Sequence, residues 1–155
     1  MGTPSIPVLL TLSSVSRGED GQTEAPVRLI TTGQLRPTAT GYLLRYKENL
    51  PDEDGGTAME SDILLALQPG RITMTRRGDF GTSMVFVKDR RFEGAYHTPY
   101  GEMSMAVFAT QVSTSLSDQR GSVHLEYQVD FQGNYASMNT LDLTYVAGET
   151  SASPC

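Results

Sequence analysis

The sequence predicts an all-β fold of antiparallel strands, about 8–10 in number, rolled up so that no long edge is left open. Three observations carry this expectation. First, between residues 123 and 131 the apolar residues Val123, Leu125, Tyr127, Val129 and Phe131 alternate with His124, Glu126, Gln128 and Asp130. A strand buried on one face and wet on the other produces that two-residue period. Second, the apolar segments are separated by short runs rich in Gly, Pro, Asn and Asp, with no helix long enough for a parallel crossover, so neighbours must pair antiparallel. Third, charged residues make up only 19% of the 155-residue chain, and Ser, Thr and Gly fill the difference, a mix suited to strands and tight turns. The length fits one domain, assigned to residues 1–147. Closure as a barrel or as a sandwich would both solve the edge problem.

The strand-like segments run in order as follows. Ile6 to Val15 comes first, then Ala25 to Leu35, closed by Pro37. Gly41 to Glu48 places Tyr42, Leu44 and Tyr46 on one face. The polar run Pro51 to Gly56 turns the chain into Ala58 to Leu67, which ends at Pro69-Gly70. Arg71 to Arg77 alternates Ile72, Met74 and Arg76 against Thr73, Thr75 and Arg77. Thr82 to Lys88 and Phe92 to Thr98 follow.

Glu102 to Ala109 contains good helix formers, and a short helix is the competing reading there. The alternation of Met103, Met105, Val107 and Ala109 favours instead a long strand bent near Ala109. After residues 123–131, Gln132-Gly133-Asn134 makes a hairpin turn, and the return strand carries Leu141, Leu143 and Tyr145 on one face. Residues 148–155 are small and polar and read as a disordered tail. The inward set of Tyr42, Leu44, Tyr46, Met74, Met84, Phe86, Tyr127 and Tyr145 is bulky, and would line a small cavity.

The motifs Arg76-x-Gly78, Met84-x-Phe86, Tyr96-x-Thr98-Pro99-Tyr100-Gly101 and Leu125-x-Tyr127 occur in that order. With the closing hairpin to Tyr145 they resemble the YwiB-like family of uncharacterised bacterial proteins, over about Val8 to Tyr145. The resemblance implies a calycin-like closed antiparallel β-barrel, lipocalin-like in architecture, and implies no activity. The chain departs from lipocalins proper in having no tryptophan, hence no N-terminal Gly-x-Trp. It lacks a clear Arg-x-Tyr pair on the final strand, which fatty-acid-binding proteins use to hold a carboxylate.

Candidate binding residues follow from the same alternation. Arg76 shares a face with Ile72 and Met74, so an interior guanidinium would need a carboxylate, a ligand anion or several carbonyls; the plainer reading puts it at the rim, reaching water. Tyr96, Tyr100 and Tyr127 carry a polar tip on an aromatic body and suit either a ligand or a satisfied core position. Tyr100, in the Thr-Pro-Tyr-Gly turn, is expected to plug the barrel end. Arg77, Lys88, Arg90 and Arg91, with Arg76, form a local basic cluster that a protein or RNA partner could meet, and a solvated hairpin tip is the alternative. No RNA-binding aromatic motif accompanies it.

Several function classes lose support. The formal net charge of −6 repels phosphate backbones, so no DNA partner is expected. His97 and His124, the two histidines, lie on polar faces and read as surface residues. The acidic run Asp52-Glu53-Asp54-Gly55 lacks the later carboxylate of a calcium loop. No P-loop, Ser-His-Asp constellation or Cys-x-x-Cys is present, so no metal, cofactor or enzymatic activity is expected. The six internal methionines, Met59, Met74, Met84, Met103, Met105 and Met138, suit a pliable core. The one cysteine, Cys155, cannot form an internal disulfide. With no signal-peptide pattern and no apolar run of spanning length, the expectation is a cytoplasmic protein without membrane attachment. The function expected is noncatalytic binding of a small apolar or amphipathic molecule in the lumen; the alternative is an interaction module using the basic cluster.

Overall fold

The computed structural model describes residues 5–18, 23, 26–51, 57–78, 81–98 and 100–148. Ten strands follow one another: β1 (Ile6–Gly18), β2 (Val27–Pro37), β3 (Tyr42–Pro51), β4 (Thr57–Gln68), β5 (Arg71–Arg77), β6 (Gly81–Phe86), β7 (Arg91–Thr98), β8 (Gly101–Leu116), β9 (Arg120–Phe131) and β10 (Asn134–Ala147). Each pairs antiparallel with its sequence neighbours, and β1 pairs with β10, so the sheet closes into an up-and-down barrel. The barrel is therefore the solution adopted, not the sandwich. The described residues contain no helix, and so none long and apolar enough to cross a membrane. The expected acidic turn at 52–55, Pro99 and the tail beyond Gly148 lie outside the described residues.

Residues 102–109 are strand throughout. The helix formers there are overruled because Met105, Val107 and Ala109 all enter the core from β8. The expected bend near Ala109 is a register shift between Ala109 and Gln111, where β8 slips against β9. A second shift, between Tyr135 and Ser137, bends β10.

An up-and-down order sends successive turns to opposite ends. The links β2–β3, β4–β5, β6–β7 and β8–β9 share one end; the links β5–β6, β7–β8 and β9–β10 share the other. The first end is sealed. Leu10, Leu35, Leu44, Leu67, Ile72, Phe86, Leu143 and Tyr145 are fully buried. Tyr145 lies flat on Gly121, where an added Cβ would come within 2.4 Å of the ring. Its hydroxyl donates to the Ser117 carbonyl at 2.7 Å, and burial pushes its pKa up to about 12. Next to it the Tyr42 hydroxyl donates to Asp118 at 2.7 Å.

The plug is thus Tyr145, and the expectation for Tyr100 is corrected. Tyr100 is 94% exposed in the turn at the opposite end. The Thr98 hydroxyl shapes that turn, donating to the Gly101 carbonyl at 2.8 Å and accepting from the Tyr100 amide at 3.1 Å. Those bonds fix the backbone and leave the ring outside.

Candidate functional site

The barrel wall is not uniformly zipped. β9 and β10 are paired at twelve positions; β6 and β7 are paired at two, Gly81 opposite His97 and Thr82 opposite Tyr96. Beyond Thr82 the two strands part. The cause lies in the turn that joins them. Lys88 bridges to Ala109 on β8, the Asp89 amide donates to the Ala109 carbonyl at 2.7 Å, and Asp89 takes a positive φ of 65°. The end of β6 is thereby tied past the start of β7 onto β8, so the pair cannot close as a regular hairpin.

The parting opens a cleft of about 430 Å³ through the wall. It is lined from inside by Arg76, Thr82, Met84, Phe92, Met105 and Val107. Gly94 contributes no side chain to fill it: a Cβ there would meet the Ser83 carbonyl at an ordinary 3.5 Å and nothing else within 4 Å. The Thr82 hydroxyl donates across the parting to the Ala95 carbonyl at 3.2 Å. Apolar walls with a few polar groups at one end are the usual make-up of a small-molecule site.

Arg76 stands at the polar end. Its side chain is 24% exposed, and its partner is Glu48, itself 20% exposed. Arg76 is therefore part-buried and not an orphan: a part-buried carboxylate on the same inner face answers its charge. Glu48 was not singled out in the sequence, although extending the Tyr42, Leu44, Tyr46 alternation by one step puts it on the inner face. Glu48 and Arg76 sit on β3 and β5, with β4 between them, so the pair spans a strand inside the lumen. Tyr46 and Tyr127 stand close enough to feel this charge. Burial raises both phenol pKa values, Glu48 adds to the rise at Tyr46, and Arg76 opposes it at both.

Of the three candidate tyrosines, two are interior. Tyr127 packs edge-on against Phe86 with ring centroids 4.7 Å apart, and Tyr96 lies 5.8 Å from the Phe131 ring. Both belong to the aromatic packing around the lumen, apart from the lining of the cleft. Tyr100 is remote from them.

The basic cluster separates. Arg77 lies at one end of β5 and β6, while Lys88, Arg90 and Arg91 lie at the other, a strand length of about 20 Å away at ~3.3 Å per residue. Arg76 faces in. Arg91 is held by Asp130 at 2.9 Å and by Glu93 at 3.6 Å; Gln128 and Arg91 together lower the Asp130 pKa. The single cluster is therefore corrected to two groups, Arg77 apart from Lys88, Arg90 and Arg91, with Arg91 already neutralised by its acids. Closeness in sequence misled because a turn-to-turn strand intervenes.

His97 is exposed and pairs with Glu102 at 3.0 Å. His124 lies on the outer face with Asp142 opposite it on β10 and Ser113 opposite on β8. The arrangement is not a catalytic triad: Nδ1 meets Asp142 at 2.5 Å and Nε2 meets Glu126 at 2.8 Å, so neither ring nitrogen is left to activate the serine. The bonds to Asp142 and then Glu126 raise the His124 pKa. Among the described residues no group of three or more His, Cys, Asp or Glu is placed to hold a metal ion.

Comparison with known proteins agrees with this fold. The family described as a domain of unknown function (DUF1934) matches residues 11–143. The chain belongs to this family. The crystal structure of the ywiB protein from Bacillus subtilis superposes on this DUF1934 barrel with a TM-score of 0.78, at 20% identity, covering 93% of each chain. That likeness extends the shared fold over the whole DUF1934 domain. A structural-genomics protein of unknown function from Bacteroides ovatus aligns at 14% identity and a TM-score of 0.36, over 96% of this chain and 43% of that one. No curated protein matches the chain.

Proposed function

We propose that this DUF1934 barrel is a noncatalytic binder of a small, partly apolar molecule, taken up at the cleft between β6 and β7. The side chains that close one end, and the position of the cleft, favour the wall over the barrel axis, where the sequence suggested the site. The observation that carries the reading is the cleft of about 430 Å³ with Met84, Phe92, Met105 and Val107 on its apolar side and Arg76 at its polar end. That volume falls within the range of small-ligand sites, roughly 300–1,000 Å³. Methionine walls adapt to differently shaped guests. Thr75, Thr82, Ser83, Glu93 and His97 add polar groups to the lining, and His97 is already engaged by Glu102 at 3.0 Å.

The test fills the cleft from β7. In Gly94→Leu the Cβ is accommodated and the side chain enters the opening. Fluorescence titration with 8-anilinonaphthalene-1-sulfonate, an amphipathic probe, should show saturable binding to the native chain. Gly94→Leu should weaken it about tenfold with the circular-dichroism spectrum unchanged. Equal binding by both proteins would place the probe elsewhere and refute the site.

A further inference from the structure

We infer that the ligand of this cleft carries a carboxylate, and that Glu48 is an internal stand-in for it, occupying Arg76 until the ligand arrives. The inference rests on the binding reading above. Its starting point is the way Arg76 is used. A guanidinium offers five N–H donors in a planar fork that fits a carboxylate with two parallel bonds. Here a single nitrogen, Nη1, meets a single oxygen of Glu48, and among the described residues Arg76 has no other hydrogen-bond partner. Arg76 also lines the cleft, and Glu48 does not. Arg76 thus takes the protein's own acid as its partner and also borders the ligand space.

The pair is also built to be released. Cross-strand neighbours are held by the ladder between them, but Glu48 and Arg76 face each other over the intervening β4, through Ser61 and Ile63. Only side-chain rotamers hold the contact, so it can break without disturbing a backbone hydrogen bond. A monocarboxylate with an apolar body would lay that body between Met84 and Met105 and exchange with Glu48 at the guanidinium. A part-buried arginine is better held with an anion than without one, and the empty protein supplies one of its own. Ligand and Glu48 then compete for one cation, and removing the competitor strengthens binding.

Calorimetric titration with octanoate and with octanol tests this on the full chain. The two share an apolar body and differ in the charged head. Glu48→Gln should bind octanoate about tenfold more tightly than the native protein, and Arg76→Gln about tenfold more weakly, with octanol affinity changing much less than octanoate affinity in each variant. In the native protein, octanoate should also shift the side-chain NMR signal of Arg76 while octanol leaves it in place, a readout that stands if either variant fails to fold. Equal responses to octanoate and octanol would overturn the stand-in role and leave the cleft reading intact. Absence of binding for both compounds would overturn the two together.

Discussion

Phe86→Ala should lower the unfolding free energy by about 3–5 kcal/mol, the range for emptying a buried aromatic site. Phe86 has no exposed surface, stands at the sealed end of the lumen, and contacts the Tyr127 ring edge-on. Its neighbours come from different strands, and Ile72 opposite it is held by the ladders of β4, β5 and β6, so the wall collapses only partly into the space. At roughly 2–4 °C per kcal/mol for a chain of this size, the melting temperature should fall by about 10 °C. Urea denaturation gives the check, as a lower midpoint at unchanged slope. Tyr100→Ala removes a ring of similar size from a position 94% exposed, and should change stability by no more than about 0.5 kcal/mol. Similar costs at the two positions would mean that inside and outside are wrongly assigned.

Gly41→Ala is expected to cost about 3 kcal/mol, at the upper end for forced overpacking. Gly41 closes the turn between β2 and β3, where the Thr38 amide donates to its carbonyl at 2.8 Å and its own amide donates to the Thr38 hydroxyl at 3.0 Å. An added Cβ would lie 2.0 Å from the Leu67 carbonyl oxygen. Both sides of that contact are backbone, so no rotamer can relieve it; the turn must lift away from the end of β4. Gly94→Ala offers the contrast, since its Cβ meets only ordinary contact, and should stay within about 1 kcal/mol of the native protein. Thermal melts of the two variants side by side decide the matter, and equal melting temperatures would mean that the Gly41 turn does not sit against Leu67.

The legible part of the fold was the part that period and punctuation encode. The alternation from Val123 to Phe131 became β9, with Val123, Leu125 and Val129 buried, and the slip near Ala109 was readable from the change of composition along β8. Which inner residues meet was not readable, because it depends on strands that are distant in sequence. Arg76 stood out by its charge on an apolar face; its partner Glu48 is 28 residues away on β3, hidden in a strand that already looked complete. The pairing of His124 with Asp142 is of the same kind.

The parting of β6 from β7 was the least legible feature. A strand's period is the same whether or not its neighbour is bonded to it. The available signals were small: Gly94 inside a strand, which often marks a local irregularity, and Asp89 in the connecting turn, a residue type that tolerates a positive φ. The Tyr100 plug failed for a related reason. Aromatic character suggested burial, whereas the Thr98 hydroxyl decided the geometry of the turn.

The cleft exists only if the ladder between β6 and β7 stays open past Thr82, and amide hydrogen exchange measures that directly. Amides in residues 83–86 and 91–95 that face the gap should exchange with little protection, while those joining β9 to β10 should be protected up to global unfolding. Equal, strong protection around the whole barrel would show the wall to be closed and would contradict the account.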